Sequence, residues 1–355
     1  MSGIVAAGYR RLLRPILFRL DAELSHRLTL AVLARVPALK PAADPPELSS
    51  RVFNLNFSNP LGLAAGMDKE ARAILAWTAL GFGFAELGTV TPLAQLGNAR
   101  PRIWRLPADR ALINRLGFPS LGVTPVVPRI ARARSLNLRL KLALNVGPNK
   151  ETPATQVAED YATVIRQAAH LTDFIVINVS SPNTRGLRAF QAPEQICAII
   201  TAIRAGAACL APILLKIAPD LPPPMIDQVC DVAVTLELAG IVATNTTLQR
   251  ASLGVTSALE GGLSGAPLGG LARSVIARVR RRAGRRLVII GVGGIATAAD
   301  AYAHIRAGAS LIELYTGLVY EGPGVVSSIK QGLARLLARD GFRSISEAVG
   351  SAGGD

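Results

Sequence analysis

The sequence predicts an α/β protein: a closed (β/α)8 barrel of the TIM type, preceded by a small two-helix module. Three observations predict it. Eight short apolar runs alternate with longer helical stretches; nearly every run ends in Gly, Asn, Thr, Ser or Lys; and a proline-rich segment at 37–46 sets the first 45 residues apart. Eight is the number of strands that closure requires, and apolar runs without strict alternation suit parallel strands buried on both faces. An open doubly wound sheet alternates in the same way. The polar run ends decide for the barrel, because there all strand ends face one rim, where active sites form. Residues 1–45 are therefore read as an N-terminal module with its linker and 46–345 as the barrel.

The N-terminal module comes first. Arg10, Arg11, Arg14 and Arg19 interrupt every apolar run well short of a bilayer span or a signal-peptide core. On a helical wheel Leu12, Leu13, Ile16, Leu17 and Leu20 share one arc and Arg10, Arg11 and Arg14 another, the pattern of a helix lying in a membrane interface. Each basic residue near an anionic leaflet adds about 1 kcal/mol. A helix that docks on its own domain is the open alternative. The second helix starts at Asp21, a suitable N-cap, with Glu23 in its first turn. Leu24, Leu28, Ala31 and Val32 line one side as far as about Arg35, and the prolines of 37–46 then form a tether.

The barrel runs follow in order: 61–65, 84–87, 142–146, 174–179, 213–217, 241–244, 287–290 and 311–314. Their ends are Gly66-Met67-Asp68-Lys69, Gly88-Thr89, Asn145, Asn178 to Thr184, Lys216, Asn245-Thr246-Thr247, Gly291 to Gly294 and Tyr315-Thr316-Gly317. The richest is Asn178-Val179-Ser180-Ser181-Pro182-Asn183-Thr184, two amides and three hydroxyls directly after an apolar run. Gly293-Gly294 and Thr316-Gly317 stand after strands seven and eight, where such barrels commonly bind phosphate through backbone N–H groups. Gly261-Gly262-Leu263-Ser264-Gly265 can close the same site.

Composition bounds the partners. Of 355 residues half are hydrophobic and 18% charged, which requires a large core and excludes global disorder. A net charge of +15 favours an anionic partner. Dispersed basic residues, 5% aromatics and the absence of nucleic-acid-binding signatures favour a phospholipid surface over nucleic acid. Cys197, Cys209 and Cys230 are odd in number and widely spaced, which suits buried thiols in a reducing compartment. His26, His170 and His304 are isolated, so no metal site is expected.

Together these motifs carry a resemblance. Ala64 to Lys69, Gly88 to Pro92, Asn114-Arg115-Leu116-Gly117-Phe118, Asn178 to Thr184, Leu215 to Asp220, Thr244 to Thr247, Gly262 to Gly265 and Gly291 to Gly294 resemble the dihydroorotate dehydrogenase family over almost the whole chain. Soluble members use a cysteine where Ser181 stands and lack the helical extension, so the resemblance implies the membrane-associated, quinone-dependent class. It further implies oxidation of (S)-dihydroorotate to orotate in pyrimidine (UMP) biosynthesis, with hydride passing to one FMN per chain and electrons then to a membrane quinone.

By that resemblance Ser181 is the catalytic base, and Thr184 and Phe118 flank the water that carries the proton away. A serine needs activation to act so; a plain Ser-Pro turn is the alternative. Asn114, Asn178, Asn183, Asn245 and Thr246 suit the amide-like edges of a pyrimidine, with Arg115, Leu116, Gly117 and Phe118 beside them and Lys69 on the carboxylate. The implied FMN contacts are Ala65, Gly66, Met67, Asp68, Lys69, Thr89, Asn145, Asn178, Lys216 and Thr244 along the ring and ribityl chain, and Gly265, Gly294, Tyr315 and Thr316 at the phosphate. Lys216 would stabilise negative charge on the reduced ring. His26 and Arg102 correspond to quinone-tunnel positions. A monomer bound peripherally to the cytoplasmic face of a bacterial-type inner membrane is expected. Two departures stand out: Glu70-Ala71-Arg72 follows Asp68-Lys69 where the family has a glycine second, and Pro148 replaces a commoner lysine. Another FMN barrel oxidoreductase, a flavin-free phosphate-binding lyase and a non-enzymatic membrane-binding protein remain the rival readings.

Overall fold

In a computed structural model, the structure describes residues 7–206, 211–251, 253 and 259–353. Cys209 lies outside them. Eight parallel strands close a barrel in chain order: β1 (Leu61–Leu63), β2 (Phe84–Val90), β3 (Lys141–Val146), β4 (Phe174–Asn178), β5 (Ile213–Ile217), β6 (Gly240–Ala243), β7 (Val288–Val292) and β8 (Leu311–Leu314), with β8 pairing β1. All eight expected runs are strands, shifted at most a few residues at their ends.

Two apolar layers hold the barrel. The outer one packs Ile, Val, Leu and Ala from the strands against the surrounding helices. Inside, Phe84, Ala143, Phe174, Val176, Leu214, Val242, Ile290 and Leu311 fill the lower half. The hairpin Ser50–Val52/Leu55–Phe57 plugs the bottom, Phe57 meeting Phe84 edge-on at 5.9 Å between ring centres. Gly62 is required there, since a Cβ on it would lie 2.2 Å from the Phe84 ring.

Strand side chains alternate with a period of two. Two residues beyond Phe84, Ala143, Val176, Leu214, Val242 and Leu311 come Glu86, Asn145, Asn178, Lys216, Thr244 and Glu313, all buried. A greasy floor thus carries a polar layer directly above it, at the carboxyl ends of the strands. This is how an apolar run with a polar end becomes a site.

The N-terminal residues form a hairpin that packs against the strand Ile103–Leu106 and the helix Thr316–Glu321. A π-helical turn at Tyr9–Leu13 runs into α1 (Arg14–Arg19), and α2 (Ala22–Leu33) follows. Asp21 caps α2, its Oδ1 accepting from Leu24 N at 2.9 Å. Of the three arginines expected on one arc, Arg10 and Arg14 dock on the barrel. Arg10 pairs with Glu321 at 3.2 Å, Arg14 donates to Tyr320 O at 3.1 Å and the Tyr9 hydroxyl to Val319 O at 2.7 Å, so these side chains face the barrel. The leucine arc stays open: Leu12, Leu13, Ile16, Leu24, Leu28 and Val32 are all exposed. Among the described residues no helix is long and apolar enough to cross a membrane.

Candidate active site

The cleft opens at the carboxyl-terminal rim and encloses about 1110 Å³ of empty space, its mouth included. Single ligand pockets commonly reach this size. Its walls come from seven of the eight strand ends, all but that of β3, from the strand Ala111–Asn114 and from Gly262–Gly265, which pairs with it antiparallel.

One end is a network of amides. Asn178 Nδ2 donates to Thr89 Oγ1 at 3.1 Å and Asn145 Oδ1 at 3.2 Å, and Asn245 Nδ2 donates to Ser180 Oγ at 2.9 Å. Asn183 Nδ2 donates to Asn114 Oδ1 at 3.0 Å, joining the β4 loop to the opposite wall. Each amide is oriented by a neighbour and keeps further donor or acceptor capacity for a ligand. Ser181 lines the cleft, and its Oγ accepts from Asn183 N at 3.2 Å. Thr184 Oγ1, nearby in the loop, is buried without a hydrogen-bond partner. Phe118 lines the cleft, its carbonyl held by Gln95 Nε2 at 2.7 Å.

Two lysines bring positive charge. Lys69 Nζ donates to Gly66 O at 2.8 Å, and burial lowers its pKa to about 8. Lys216 lies on the floor, 2.8 Å from Glu86 Oε2 and 3.6 Å from Glu313 Oε2. Burial opposes the charge on Lys216, but the two carboxyl groups raise its pKa above the ordinary lysine value.

At the other end the glycines make room. Gly293 and Gly294 have φ of +124° and +73°, and a Cβ on Gly294 would lie 2.4 Å from Gly269 Cα. Thr316 and Tyr315 stand beside them, and Ser264 Oγ lies 2.9 Å from Thr316 Oγ1. Backbone can approach a ligand closely here, as phosphate binding requires.

Most of the expected site residues converge. Ala65, Gly66, Lys69, Thr89, Asn114, Leu116, Gly117, Phe118, Asn178, Ser181, Asn183, Lys216, Thr244, Asn245, Thr246, Gly294, Tyr315 and Thr316 line the cleft. Asn145 stands behind Thr89 and Asn178 and orients both. Gly265 backs Thr316.

Six others do not line the cleft, Thr184 of the β4 loop among them. The Asp68 carboxylate accepts from Arg72 N, Ala73 N and Trp77 Nε1, all within 2.9 Å, so it holds the turn that leads into the helix Ile74–Leu80 and does not line the cleft. Met67 is buried in the outer core. Arg115 stacks over Trp104 and reaches Glu260 at 3.6 Å, outside the cleft. Arg102 and His26 do not line the cleft either; Arg102 pairs with Glu23 of α2, and Lys69 contributes to lowering the pKa of His26.

The departing loop has a local cost. Ala71 takes φ +54°, a conformation in which glycine is unstrained and alanine is not. Arg129 and Leu121 hold the loop through Glu70. Around Pro148, Gly147 N donates to Val90 O and Asn149 N to Asp160, so the loop is anchored on both sides.

Sequence reasoning missed three groups. Arg188 donates to Ser180 O, Asp220 Oδ2 and Thr246 O, stapling three consecutive loops together. Glu86 and Glu313 are the others. A glutamate inside an apolar run that must be buried on both faces was the available signal, because it demands a partner.

With this geometry in place, the comparisons add a family. A family model described as dihydroorotate dehydrogenase matches residues 47–337. A protein of Mycobacterium sp. strain KMS named dihydroorotate dehydrogenase (quinone) is 48% identical, covering 97% of this chain and 99% of the relative. One of the same name from Thermobifida fusca is also 48% identical, with 96% of each chain covered. A crystal structure of the enzyme of Eimeria tenella in complex with ferulenol is 37% identical, superposes with a TM-score of 0.88 and covers 94% of this chain and 96% of its own.

Proposed function

The chain belongs to the dihydroorotate dehydrogenase family, and on that premise we propose how its cleft works. The enzyme oxidises dihydroorotate to orotate in pyrimidine biosynthesis and passes the electrons to a quinone. The observation that carries this reading is the placement of Ser181, with its oxygen accepting from a backbone N–H, in a cleft walled by Asn114, Asn178, Asn183 and Asn245.

The amides bind the edges of the dihydropyrimidine ring, and Lys69 pairs with its carboxylate. Ser181 Oγ takes the proton from C5 as the C5–C6 double bond forms. As it takes that proton it gives up its own hydroxyl proton, and the Asn183 N–H fixes the oxygen in place and supports negative charge on it as that proton leaves. Thr184 Oγ1, free of protein partners, passes the proton on through a water that Phe118 screens from solvent.

The cofactor is FMN. The residues fit it: glycines that clear space at one end, an oriented amide and hydroxyl row between, and a lysine on the floor. When bound, FMN accepts the hydride leaving C6 and later yields the electrons to quinone. Ala65, Gly66, Thr89, Asn145, Asn178, Lys216 and Thr244 hold the ring and ribityl chain, and Gly265, Gly294, Tyr315 and Thr316 the phosphate.

Quinone reaches the flavin between α1 and α2, past His26 and Arg102. Burial lowers the His26 pKa to about 3, so it is neutral at physiological pH and suits an uncharged quinone. Residues 1–45 form this access module and 46–345 the catalytic barrel. The exposed leucine arc rests on the cytoplasmic leaflet of an inner membrane, and the enzyme works as a monomer. Turnover of dihydroorotate by the flavin-loaded protein with a quinone acceptor, and not with fumarate or NAD, tests the whole reading. Turnover with NAD or fumarate in place of quinone would reject it.

A further inference from the structure

Beneath the cofactor cleft lies a charge count that does not balance. Glu86 on β2, Lys216 on β5 and Glu313 on β8 meet in the barrel interior, both glutamates essentially inaccessible to solvent. Lys216 is committed to Glu86, 2.8 Å away, and Asn145 Nδ2 donates to the other Glu86 oxygen. Glu313 lies farther from Lys216, at 3.6 Å, and neither of its oxygens accepts a well-formed hydrogen bond from a protein donor. It nevertheless lines the cleft.

Two carboxylates cannot both stay ionised beside one ammonium in a dry interior, and the one with fewer partners takes the proton. The neighbourhood offers no other compensation. The flanking strands β1 and β7 carry no titratable side chain. Tyr315, next in the chain, is buried and its pKa is pushed up to about 12. His304, on the helix Ala298–Ala307 packed outside β8, turns its Nδ1 to Asp300 O. Among the described residues only the charged side chains of Glu86 and Lys216 face Glu313.

We propose that Glu313 is a neutral carboxylic acid in the working enzyme: a proton-bearing residue on the cleft floor that keeps the Glu86–Lys216–Glu313 cluster uncharged. Burial, reinforced by the neighbouring Glu86, raises the Glu313 pKa well above the ordinary glutamate value, while for Glu86 the Lys216 charge and the hydrogen bonds it accepts outweigh burial and lower its pKa. Loss of the Glu313 proton at alkaline pH gives the floor a net negative charge, which opposes the negative charge that reduction adds above it. Reducing the cofactor then draws one proton from solvent back onto Glu313.

This inference rests on the flavin reading only for its second consequence, so two measurements separate them. In the infrared spectrum of the holoenzyme, a protonated-carboxyl carbonyl band is expected at neutral pH, lost on alkaline titration and lost in Glu313→Gln. A wild-type spectrum without such a band, or an unchanged band in the variant, overturns the proposal. The first of these needs no variant to fold. Spectroelectrochemical titration should show the wild-type flavin potential falling more steeply with alkaline pH than that of Glu313→Gln, by one proton per flavin reduced. Equal slopes overturn the coupling. A protein that binds no flavin but shows the band rejects the cofactor reading and leaves the protonated Glu313 standing.

Discussion

Arg102 grips Glu23 with both arms: Nε and Nη2 donate to Oε2 and Oε1 at 2.9 and 2.7 Å, tying α2 to the barrel across 79 residues of sequence. Arg102 is itself fixed by Leu96 O and Asn98 O, so the pair is pre-organised. The hydrogen bond from Arg102 lowers the Glu23 pKa to about 2. A depressed carboxyl pKa contributes stability that is present above the unfolded value and lost as pH falls through the folded one. Docking of the hairpin is therefore complete at neutral pH and loosens below about pH 4. Glu23→Gln should cost about 2 kcal/mol of docking at neutral pH. Faster proteolysis of the 37–46 linker, and a quinone KM raised more than flavin reduction is slowed, are the expected readings.

The Lys216 floor makes a second prediction. Lys216→Met leaves Glu86 buried without its cation, which costs about 3–5 kcal/mol. Urea unfolding of wild type and variant at saturating FMN measures it. Adding Glu86→Gln to that variant should recover part of the loss, because the orphaned charge is then gone.

Ala71 makes the opposite kind. At φ +54° a Cβ is strained by about 1–2 kcal/mol, and glycine returns some of that through its freer unfolded chain. Ala71→Gly is expected to stabilise the protein by roughly 0.5–1 kcal/mol. Thermal unfolding would show a raised midpoint, whereas a lowered one would mean the Cβ contacts around this buried alanine outweigh the strain.

Membrane attachment should depend on leucine more than on arginine, since Arg10 and Arg14 are turned to the barrel. Burying one Leu or Ile side chain in the interface contributes about 1.5–3 kcal/mol. The combined change Leu12→Ser, Ile16→Ser and Leu28→Ser should release the protein from anionic vesicles in a flotation assay. Flavin reduction by dihydroorotate should change little, because none of the three lines the cleft.

The barrel was legible because its strands are short apolar runs whose polar ends fall two residues beyond an interior side chain, as Leu214 and Lys216 show. Asp21 was legible as a cap for the same local reason. Asp68 was not: its sequence neighbours suggest a ligand contact, while its oxygens are taken by Arg72, Ala73 and Trp77, a choice that depends on where the next helix begins. The docking of Arg10 on Glu321 and the grip of Arg188 on three loops join residues far apart in the chain, which no local pattern encodes. Glu313 was visible as a misfit in an apolar strand, but its meaning required Glu86 and Lys216 to be placed beside it.

The central claim is that Ser181 removes a proton from dihydroorotate while FMN takes the hydride. Anaerobic stopped-flow mixing of the flavin-loaded protein with dihydroorotate tests it most directly. The account predicts rapid bleaching of the flavin by wild type, slowed about 10²–10⁴-fold at neutral pH in Ser181→Ala with FMN still bound. Bleaching at the wild-type rate in Ser181→Ala, or none in the flavin-loaded wild type, would contradict it.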